Sequence, residues 1–469
     1  MSRLGGEVNA RLPPKRRERV TEAAVCPFCA CLCDDLVISV DAEKNKITGV
    51  KNACKLGVAK FRSAAAGSAE RTDERRIKKP RVDGEETDYE EAVQRAVEIL
   101  RTAKKPLVYG LCNSGYEAQR VALKIAKLKR GVFDTSESVC HSLLYSALRK
   151  GRYPFHYALL DEIRENADVV VYWGANPVAS HPRHLSKFSV YPVGRYAMRG
   201  VLDREVVCVE VVESELKKVS RWFLQVKPGG GEGEGDEGGD AKIAETLERL
   251  VKGEVGEPSR TSEPSELKEL VKIADRLKRA FYGVIFVGLG VLASEGAAKK
   301  IEAILSLVET LNRAGVRFVL FPMKGHFNVT GAVQLLLRET GYPFGVDFSR
   351  GSQPPDKIFE PGRTTVLDVL KRGEVDAALV VGADPFSSFP KDAARRLCDC
   401  ELPLILIDPF ETPTTQFASV VLPTAITGVE TGGIAYRMDG LPLRLEKVLD
   451  CDYPSDEETL KRILTGLKS

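Results

Sequence analysis

The chain of 469 residues lacks several features that would place it in common protein classes. It has no run of about 18 apolar residues, the minimum for a membrane helix, so we expect no membrane span. The first twenty residues are basic and lack the apolar core of a signal peptide. Lys and Arg number 69 against 66 Asp and Glu, and the resulting net charge of +3 gives no reason to expect nucleic-acid binding.

Cysteine is abundant, with eleven residues, and four of them stand near the start. Cys26, Cys29 and Cys33 have the spacing C-x2-C-x3-C, and Cys54 follows after a gap of twenty residues. Four thiolates from one tight loop and one return segment favour a [4Fe–4S] cluster and hence electron transfer. Zinc is the main alternative, and disulfides or free thiols stay open as well. Cys31, in the same run, is interpreted as a packed thiol. This cysteine usage fits a reducing cytoplasm.

After the cysteines, short apolar segments alternate with amphipathic ones. Strands are predicted at 106–111, 168–173, 206–212, 283–289, 317–322, 377–381 and 404–408, and helices at 89–103 and 116–130. The alternation predicts an α/β protein of several doubly wound, Rossmann-like domains with a small N-terminal iron–sulfur domain. We expect a basic arm (1–20), a cluster domain (21–87), a first α/β unit (88–275) and a second one (276–469). The Gly- and acid-rich stretch 228–240 is predicted to be a flexible surface insertion of the first unit.

Two segments of the α/β region repeat each other. ADVVVYWGANPVASHP (167–182) and VDAALVVGADPFSSFP (375–390) both run from an apolar strand into Gly-Ala-Asn/Asp-Pro. Ligands of such sheets bind beyond the carboxyl ends of the strands, where the turn frees backbone N–H groups and the acid after the next strand can accept from a ribose or guanine. Two copies predict two nucleotide-like ligands related by a pseudo-twofold axis, although Gly, Asn and Pro also form ordinary turns. The expected contacts are Gly174, Asn176, Glu213, Gly382, Asp384 and Asp408.

A cluster motif followed by two nucleotide-binding units resembles the molybdenum and tungsten bis(pterin guanine dinucleotide) enzymes, which include formate dehydrogenases and dimethyl sulfoxide reductase. The resemblance is closer to the B subunits of formylmethanofuran dehydrogenases. It is carried by CPFCACLCDD (26–35), KNACKLG (51–57), SVCHS (138–142), VYWGANPVASHPRHLSKFSVYPVG (171–194), LQVKPG (224–229), PMKGHFNVTG (322–331), TGYPFGVDFSRG (340–351), DPFETPTT (408–415) and GVETGGIAYRMDGLPLRL (428–445). The implied fold is that of domains I–III of the formate dehydrogenase and dimethyl sulfoxide reductase type.

The resemblance implies a [4Fe–4S] cluster, two molybdopterin guanine dinucleotides and one tungsten or molybdenum atom. Cys140 stands where the family has the Cys or selenocysteine that binds the metal, and a thiolate suits a soft metal. His141 would be its proton partner. Lys324 would bind the substrate anion, at a position where we expect Arg in the family; Lys offers only a point charge there. Considered alone, such a Cys or His is more often structural.

Further cofactor contacts are expected from the same resemblance. Lys55 would lie between cluster and pterin, although the family often has its Lys one place later. His181, Arg183 and His184, in the SHPRH segment, would hold anionic pyrophosphate or pterin groups, unless that segment is only a polar surface loop. The segment GVETGGIAYRMDG is expected to close over a cofactor as a Gly-rich loop. The other expected contacts are Gly288, Gly325, His326, Asn328 and Thr414.

The implied reaction is two-electron reduction of CO2 to formate, which another subunit then joins to methanofuran. The expected partners are ferredoxin-like subunits, an amidohydrolase-type A subunit, a β-helical C subunit, together with a barrel D subunit. The chain has no His-x-His motif for the condensation. One alternative is a stand-alone formate dehydrogenase-like oxidoreductase. Another is a non-redox scaffold like the related bacterial formyltransferase/hydrolase subunits, which have lost the cysteines that this chain keeps.

Overall fold

The structure is a computed structural model, and it describes residues 18–64, 75–227, 239–254, 265–294, 296–351, 358–398 and 402–469. Most of the predicted basic arm (1–17) and of the predicted flexible insertion (228–238) lies outside the described residues. Within the described ranges, no helix has the length and apolarity needed to cross a membrane.

Strands and helices alternate through most of the described chain. The strands are β1 (Glu18–Ala24), β2 (Leu36–Asp41), β3 (Lys46–Lys51), β4 (Arg81–Val82), β5 (Glu85–Glu86), β6 (Pro106–Gly110), β7 (Val132–Asp134), β8 (Val169–Trp173), β9 (Glu205–Glu210), β10 (Trp222–Gln225), β11 (Tyr282–Val287), β12 (Arg317–Pro322), β13 (Val346–Asp347), β14 (Ala377–Val381), β15 (Leu404–Ile407), β16 (Val420–Leu422), β17 (Gly433–Tyr436) and β18 (Pro442–Leu445). The α-helices are α1 (Lys55–Ala64), α2 (Tyr89–Thr102), α3 (Tyr116–Leu128), α4 (Ser136–Cys140), α5 (Ser142–Arg149), α6 (Leu160–Asn166), α7 (Pro177–Ser180), α8 (Asp240–Lys252), α9 (Ser265–Lys278), α10 (Leu289–Leu292), α11 (Ala297–Arg313), α12 (Val329–Thr340), α13 (Val366–Lys371), α14 (Pro385–Ser388), α15 (Lys391–Leu397) and α16 (Asp456–Lys468).

Two large sheets form the body of the chain. One has five parallel strands in the order β10-β9-β8-β11-β12. The other has eight strands in the order β13-β7-β6-β14-β15-β16-β4-β5, and its central five, β7 to β16, are parallel. The central strands are fully buried because helices cover both faces, as their continuous apolar sequences require. The predicted doubly wound α/β class is confirmed.

The strands do not divide between the two sheets at residue 275, where the sequence predicted a boundary. Strands β6 and β7 precede the five-stranded sheet in the chain but pair with β14 in the other sheet. Strands β11 and β12 follow the predicted boundary and pair with β8. One unit is therefore inserted into the other, a topology that a linear division of the sequence cannot represent.

The predicted repeat has matching backbone geometry in the two sheets. Gly174 follows β8 with φ 56° and Gly382 follows β14 with φ 57°. Asn176 and Asp384 then cap α7 and α14, and each side chain accepts from a backbone N–H three residues later at 3.4 Å. Both glycines need a left-handed conformation that other residues rarely adopt, which explains why Gly opens both turns.

The strand register corrects one predicted contact. The N–H of Gly174 donates to the carbonyl of Val209, as the N–H of Gly382 donates to that of Ile407. The next residues, Glu210 and Asp408, are therefore equivalent, whereas the sequence paired Asp408 with Glu213. Glu213 lies beyond the strand on an exposed turn, where it pairs with Lys217 at 2.8 Å.

The N-terminal region is a small three-stranded sheet, β1-β2-β3, followed by α1. Its cysteine loop packs into the same apolar core as β8, β11 and β12 of the five-stranded sheet, through Cys26, Cys31 and Cys33. The N–H of Ala30 donates to the carbonyl of Gly325, just beyond β12. The cysteine loop is thus fixed directly against the carboxyl end of the five-stranded sheet.

Candidate active site

The four predicted cluster thiols come together between the loop before β2 and the start of α1. The pKa of the Cys26 thiol is raised by burial and also by the neighbouring thiols of Cys29, Cys33 and Cys54. The N–H of Gly57, in the first turn of α1, points at the Cys54 sulfur at 3.3 Å. Four soft donors at one place, two of them buried and two half-buried, match the donor set of a [4Fe–4S] cluster.

Gly57 lies beside two of these thiols. A Cβ atom on Gly57 would lie 3.5 Å from the Cys26 sulfur and 3.8 Å from that of Cys54, so a larger side chain there would enter the space between the thiols. Within the part of the chain that the structure describes, no three His, Cys, Asp or Glu side chains are grouped tightly enough for a single metal ion.

The fifth cysteine of the run, Cys31, lies in the same place but points into the core. It is fully buried, and its thiol hydrogen-bonds with that of Cys29, which lowers the pKa of Cys29. Cys31 is thus buried and in direct contact with a candidate cluster ligand, and its interpretation as a packed thiol stays a prediction.

Arg183 holds the cysteine loop. Its guanidinium donates two hydrogen bonds of 2.6 Å to Asp35, and Lys187 lies 2.8 Å from Asp34. Burial raises the pKa of the Cys33 thiol to about 12, although the positive charges of Arg183 and Lys187 act to lower it. The sequence predicted that Arg183 binds pyrophosphate, but the carboxylate two residues beyond Cys33 already occupies it.

A cleft of about 510 Å³ opens between the cysteine loop and the carboxyl end of the eight-stranded sheet. Its lining includes Phe28 of the cysteine loop, Gly325 and His326 after β12, and Gly382 and Asp408 of the repeat. A Cβ on Gly325 would meet nothing within 4 Å, so the backbone there is open to a ligand. The predicted contacts Gly325, His326, Gly382 and Asp408 are thus brought together.

The acidic wall of the cleft includes Asp408, a carboxyl with a raised pKa. Burial raises the pKa of Asp408 to about 7, with the nearby carboxyls of Asp456 and Asp384 contributing in the same direction. A half-protonated carboxyl can both donate and accept, which suits the edge of a base.

The lysine that lines the cleft is Lys60. Its ammonium lies 5.3 Å from the ring centre of Phe28, and its charge lowers the pKa values of Cys29 and His326. Lys55, the predicted residue, is exposed at the start of α1 and does not line the cleft. Lys60 lies about one and a half helical turns after Lys55 in α1, and the sequence analysis did not single it out.

Cys140 ends α4, which follows β7 at the carboxyl end of the eight-stranded sheet. Its thiol is half-buried, and burial, with the charge of Glu137, raises its pKa to about 11. His141 comes next and donates from Nδ1 to Oε2 of Glu137 at 2.9 Å. The other ring nitrogen, Nε2, is buried and has no hydrogen-bond partner among the described residues, so it is available to a ligand.

Lys324 reaches this group from the other sheet. Its Nζ lies 3.2 Å from Oε1 of Glu137 and donates to the hydroxyl of Tyr145 at 3.0 Å. Burial alone would raise the pKa of Glu137, but Lys324 and His141 lower it to about 2. Glu137, which the sequence did not single out, therefore joins the predicted residues Lys324 and His141 as a buried carboxylate.

His181 holds the backbone of Lys324 in place. Its Nε2 donates to the backbone carbonyl of Lys324 at 2.7 Å, and its Nδ1 accepts from Ser180 at 2.8 Å. Burial lowers the pKa of His181, which favours the neutral ring. The sequence predicted an anion-binding role, but both ring nitrogens are already used within the protein.

Comparison with known proteins places this arrangement in a family. No protein-family model matches the sequence. The chain is 37% identical over 452 residues to the B subunit of the tungsten-containing formylmethanofuran dehydrogenase 2 of Methanocaldococcus jannaschii, covering 96% of this chain and 99% of that protein. It is 36% identical over 447 residues to the subunit of the same name from Methanococcus maripaludis, covering 95% and 98%. The chain belongs to the family of formylmethanofuran dehydrogenase B subunits.

Solved structures agree with this membership at the level of the fold. A chain of the formyltransferase/hydrolase complex FhcABCD from Methylorubrum extorquens aligns with a TM-score of 0.64 at 22% identity, over 83% of the present chain and 98% of that one. Acetylene hydratase from Pelobacter acetylenicus aligns with a TM-score of 0.66 at 12% identity, over 96% and 69%. The predicted family and fold are confirmed, and the protein is part of an oxidoreductase.

Several other predicted contacts of this family member have structural roles. His184 is fully buried, its Nδ1 lies 3.1 Å from the hydroxyls of Tyr172 and Ser189, and burial lowers its pKa to about 3. Its Nε2 is buried and has no hydrogen-bond partner among the described residues, so the predicted contact to a cofactor stays a prediction. The side chain of Asn328 is taken up by backbone groups, at 2.8 Å from the N–H of Tyr436 and from the carbonyl of Ser114.

The remaining predicted contacts shape the turns of the repeat. A Cβ on Gly288 would lie 2.1 Å from the carbonyl oxygen of Gly174, so Gly288 permits backbone packing and does not open a ligand surface. The hydroxyl of Thr414 donates to Asp384 at 2.5 Å, which ties the loop after β15 to the cap of α14. Gly288 thus fixes the turn after β8, and Thr414 fixes the turn after β14.

The Gly-rich segment 428–440, which the sequence predicted to be a loop, contains β17 and leads into β18, and the two strands form a hairpin. Its Met438 N–H donates to the carbonyl of Ala30 in the cysteine loop. The fully buried Arg437 is 2.6 Å from Asp439 and 2.6 Å from Asp161. These ion pairs anchor the hairpin between the cysteine loop and the cleft.

Proposed function

We propose that this chain is the catalytic redox component of a formylmethanofuran dehydrogenase, which reversibly reduces CO2 to formate and passes the formate to another subunit. The observation that carries the proposal is the group formed by Cys140, His141, Glu137 and Lys324, where the carboxyl ends of the two sheets meet. The cysteine loop binds the same Lys324–Gly325 segment through Ala30. Electron supply and reaction site are thus adjoining parts of one structure.

The residues present fit the groups that the family and its relatives' names imply. Cys26, Cys29, Cys33 and Cys54 would hold a [4Fe–4S] cluster. The cleft lined by Gly382 and Asp408 would hold one pterin guanine dinucleotide, and the equivalent turn with Gly174, Asn176 and Glu210 would hold the other. The Cys140 thiolate would bind tungsten or molybdenum, and this metal–pterin group supplies the two-electron redox chemistry.

The protein's own side chains handle the proton and the substrate. Formation of formate consumes CO2, two electrons and one proton. Glu137 fixes His141 through Nδ1, so Nε2 is the atom that can hold and deliver this proton. Lys324 supplies a buried cation beside Glu137, and its burial together with that of His141 keeps bulk water away. Lys60, whose charge acts on both Cys29 and His326, takes the role proposed for Lys55 between cluster and pterin.

The second half of the reaction belongs to partner subunits. The chain offers no His-x-His motif, so the condensation of formate with methanofuran is assigned to an amidohydrolase-type A subunit. Ferredoxin-like subunits, a β-helical C subunit, together with a barrel D subunit, complete the proposed complex. Membership of a family of B subunits supports such an assembly.

The test compares the natively purified complex with its Cys140→Ser variant. We expect about four irons, one tungsten or molybdenum and two guanine nucleotides per unmodified chain. The variant should keep its irons and lose CO2 reduction. Cys398→Ser is the matched control, because Cys398 also follows a short helix, is half-buried and has a pKa raised to about 11. Zinc as the sole metal, or full activity of the Cys140 variant, would contradict the proposal.

A further inference from the structure

The charges around Cys140 cancel one another. Glu137 and Lys324 are both buried and lie 3.2 Å apart, so the carboxylate and the ammonium form an ion pair, and His141 hydrogen-bonds to the other carboxylate oxygen at 2.9 Å. Burial and the charge of Glu137 keep the hydroxyl of Tyr145 neutral by raising its pKa. Burial likewise favours the neutral ring of His326 by lowering its pKa. Next to Cys140 the protein therefore presents a cation whose charge is already balanced.

This balance bears on the two forms of the one-carbon substrate. Formate is an anion and CO2 is neutral. A lone buried ammonium would attract formate strongly. The attraction of one unbalanced charge a few ångströms away exceeds the free energy of a tenfold change in affinity, even at an effective dielectric constant of about 20. With Glu137 in place, Lys324 acts on formate mainly as a dipole, whose attraction is much weaker.

We propose that Glu137 is a specificity-determining residue of this site: by neutralising Lys324 it keeps formate weakly bound and favours neutral CO2. The inference rests on the proposed function, since it concerns the same reaction site. It accounts for a cation that touches a carboxylate on one side and a neutral tyrosine on the other. Weak retention also suits a protein whose product must leave for a second site.

The experiment measures formate binding without turnover. Formate is titrated against the electron paramagnetic resonance signal of the metal in the natively assembled complex, with unmodified chain and with Glu137→Gln. Glutamine keeps the size of Glu137 and removes its charge, so we expect formate to bind about tenfold or more tightly. Formamide, a neutral analogue of formate, should bind within about threefold of its original affinity because it carries no charge. Asp134→Asn is the control, since Asp134 is also fully buried, three residues before Glu137, and holds only backbone N–H groups and a hydroxyl.

A pair of further variants covers the case in which Glu137→Gln does not assemble. Lys324→Met leaves Glu137 unbalanced and should weaken formate binding about tenfold or more. The double variant Glu137→Gln/Lys324→Met restores a neutral site and should return to within about threefold of the original affinity. A double variant as weak as Lys324→Met would show that Lys324 simply clamps formate, and would overturn the inference.

The remaining outcomes separate the inference from the function on which it rests. Unchanged or weaker formate binding by Glu137→Gln, in a complex whose unmodified form responds to formate, overturns the inference alone. An unmodified complex that neither contains the heavy metal nor binds formate overturns the proposed function and the inference together.

Discussion

Replacing Arg437 tests whether the β17–β18 hairpin holds the cysteine loop in place. The Arg437 side chain is 1% exposed and donates to Asp439, whose side chain is fully buried, at 2.6, 2.8 and 3.0 Å. Removing one partner of a buried ion pair costs about 3–5 kcal/mol, because the other charge is left buried and uncompensated. The second partner, Asp161, is 41% exposed and adds at most about 1 kcal/mol.

These energies convert into a melting temperature through the entropy of unfolding. At about 2.1 cal/mol/K per residue, a chain of 469 residues loses about 1 °C for each kcal/mol if it unfolds as a unit, and a smaller cooperative unit loses more. Arg437→Met should therefore lower the melting temperature by about 3–5 °C or more. Asp439 also accepts from the N–H of Leu160 at 2.8 Å, so the double variant Arg437→Met/Asp439→Asn keeps an acceptor there and should recover most of the loss.

The assay follows heat-induced release of iron from the anaerobically purified complex. Loosening of the hairpin should reach the cluster through the hydrogen bond from Met438 to Ala30. Arg444→Met is the matched control, because Arg444 lies on the same hairpin, is 83% exposed and pairs with Glu446 only at 3.4 Å. If Arg437→Met and Arg444→Met release iron at the same temperature, the hairpin does not depend on its buried ion pairs.

Three further predictions concern the cluster site and a buried carboxyl. Cys54→Ser should reduce iron below about four per chain whereas Cys31→Ser should keep it, and equal iron loss in both would contradict the assignment of Cys31 as a packed thiol. Gly57→Val should also lower the iron content, because its methyl groups would enter the space between Cys26 and Cys54; Gly49→Val, which meets only the Ser39 side chain at 3.6 Å, is the control, and normal iron in Gly57→Val would refute the placement. Burial raises the pKa of Asp134 to about 7 despite hydrogen bonds from backbone N–H groups, so the folded chain keeps this proton at a higher pH than the unfolded chain. Its contribution to stability is then fully present below about pH 4 and is lost as the pH rises towards 7. Relative to Asp134→Asn, the unmodified chain should lose up to about 1.4 kcal/mol of stability per pH unit between about pH 5 and 7 and no more above that; a stability difference independent of pH in this range would refute the shift.

The sequence predicted the elements of the fold closely because their signals are local. The strands 317–322 and 377–381 have the predicted bounds, since a continuous apolar run ends on both sides at polar or turn residues. The predicted helix 89–103 is shorter by one residue, and Asp88 caps it. The order in which strands pair is not local, which is why the predicted boundary at residue 275 failed.

The residues of the candidate site were predictable where they stand in a sequence motif. They were not predictable where their role depends on contacts with residues distant in the chain. Cys140, His141 and Lys324 stand in distinctive segments and come together as expected. The contacts of Arg183 with Asp35 and of His181 with the backbone of Lys324 were not predictable, because they are made by distant parts of the chain. Glu137 carried one usable signal, its place four residues before His141 on one helical face.

The duplication explains why Glu137 and Lys324 meet. The two sheets share the spatial order β10-β9-β8-β11-β12 and β16-β15-β14-β6-β7. Tyr109 of β6 pairs with Asp134 of β7. In the same way, Phe286 of β11 pairs with Phe321 of β12. Glu137 lies three residues after Asp134, and Lys324 lies three residues after Phe321.

The carboxylate and the ammonium thus occupy equivalent positions in the two units and pair across the junction between them. A duplicated fold offers the same backbone position twice, and here the two copies carry opposite charges. Each charge offsets the cost of burying the other, so neither half could keep its residue buried at this place alone. The neutral reaction site proposed above is therefore a property of the paired units, and exchanging Glu137 and Lys324 should preserve its net charge while moving the carboxylate away from His141.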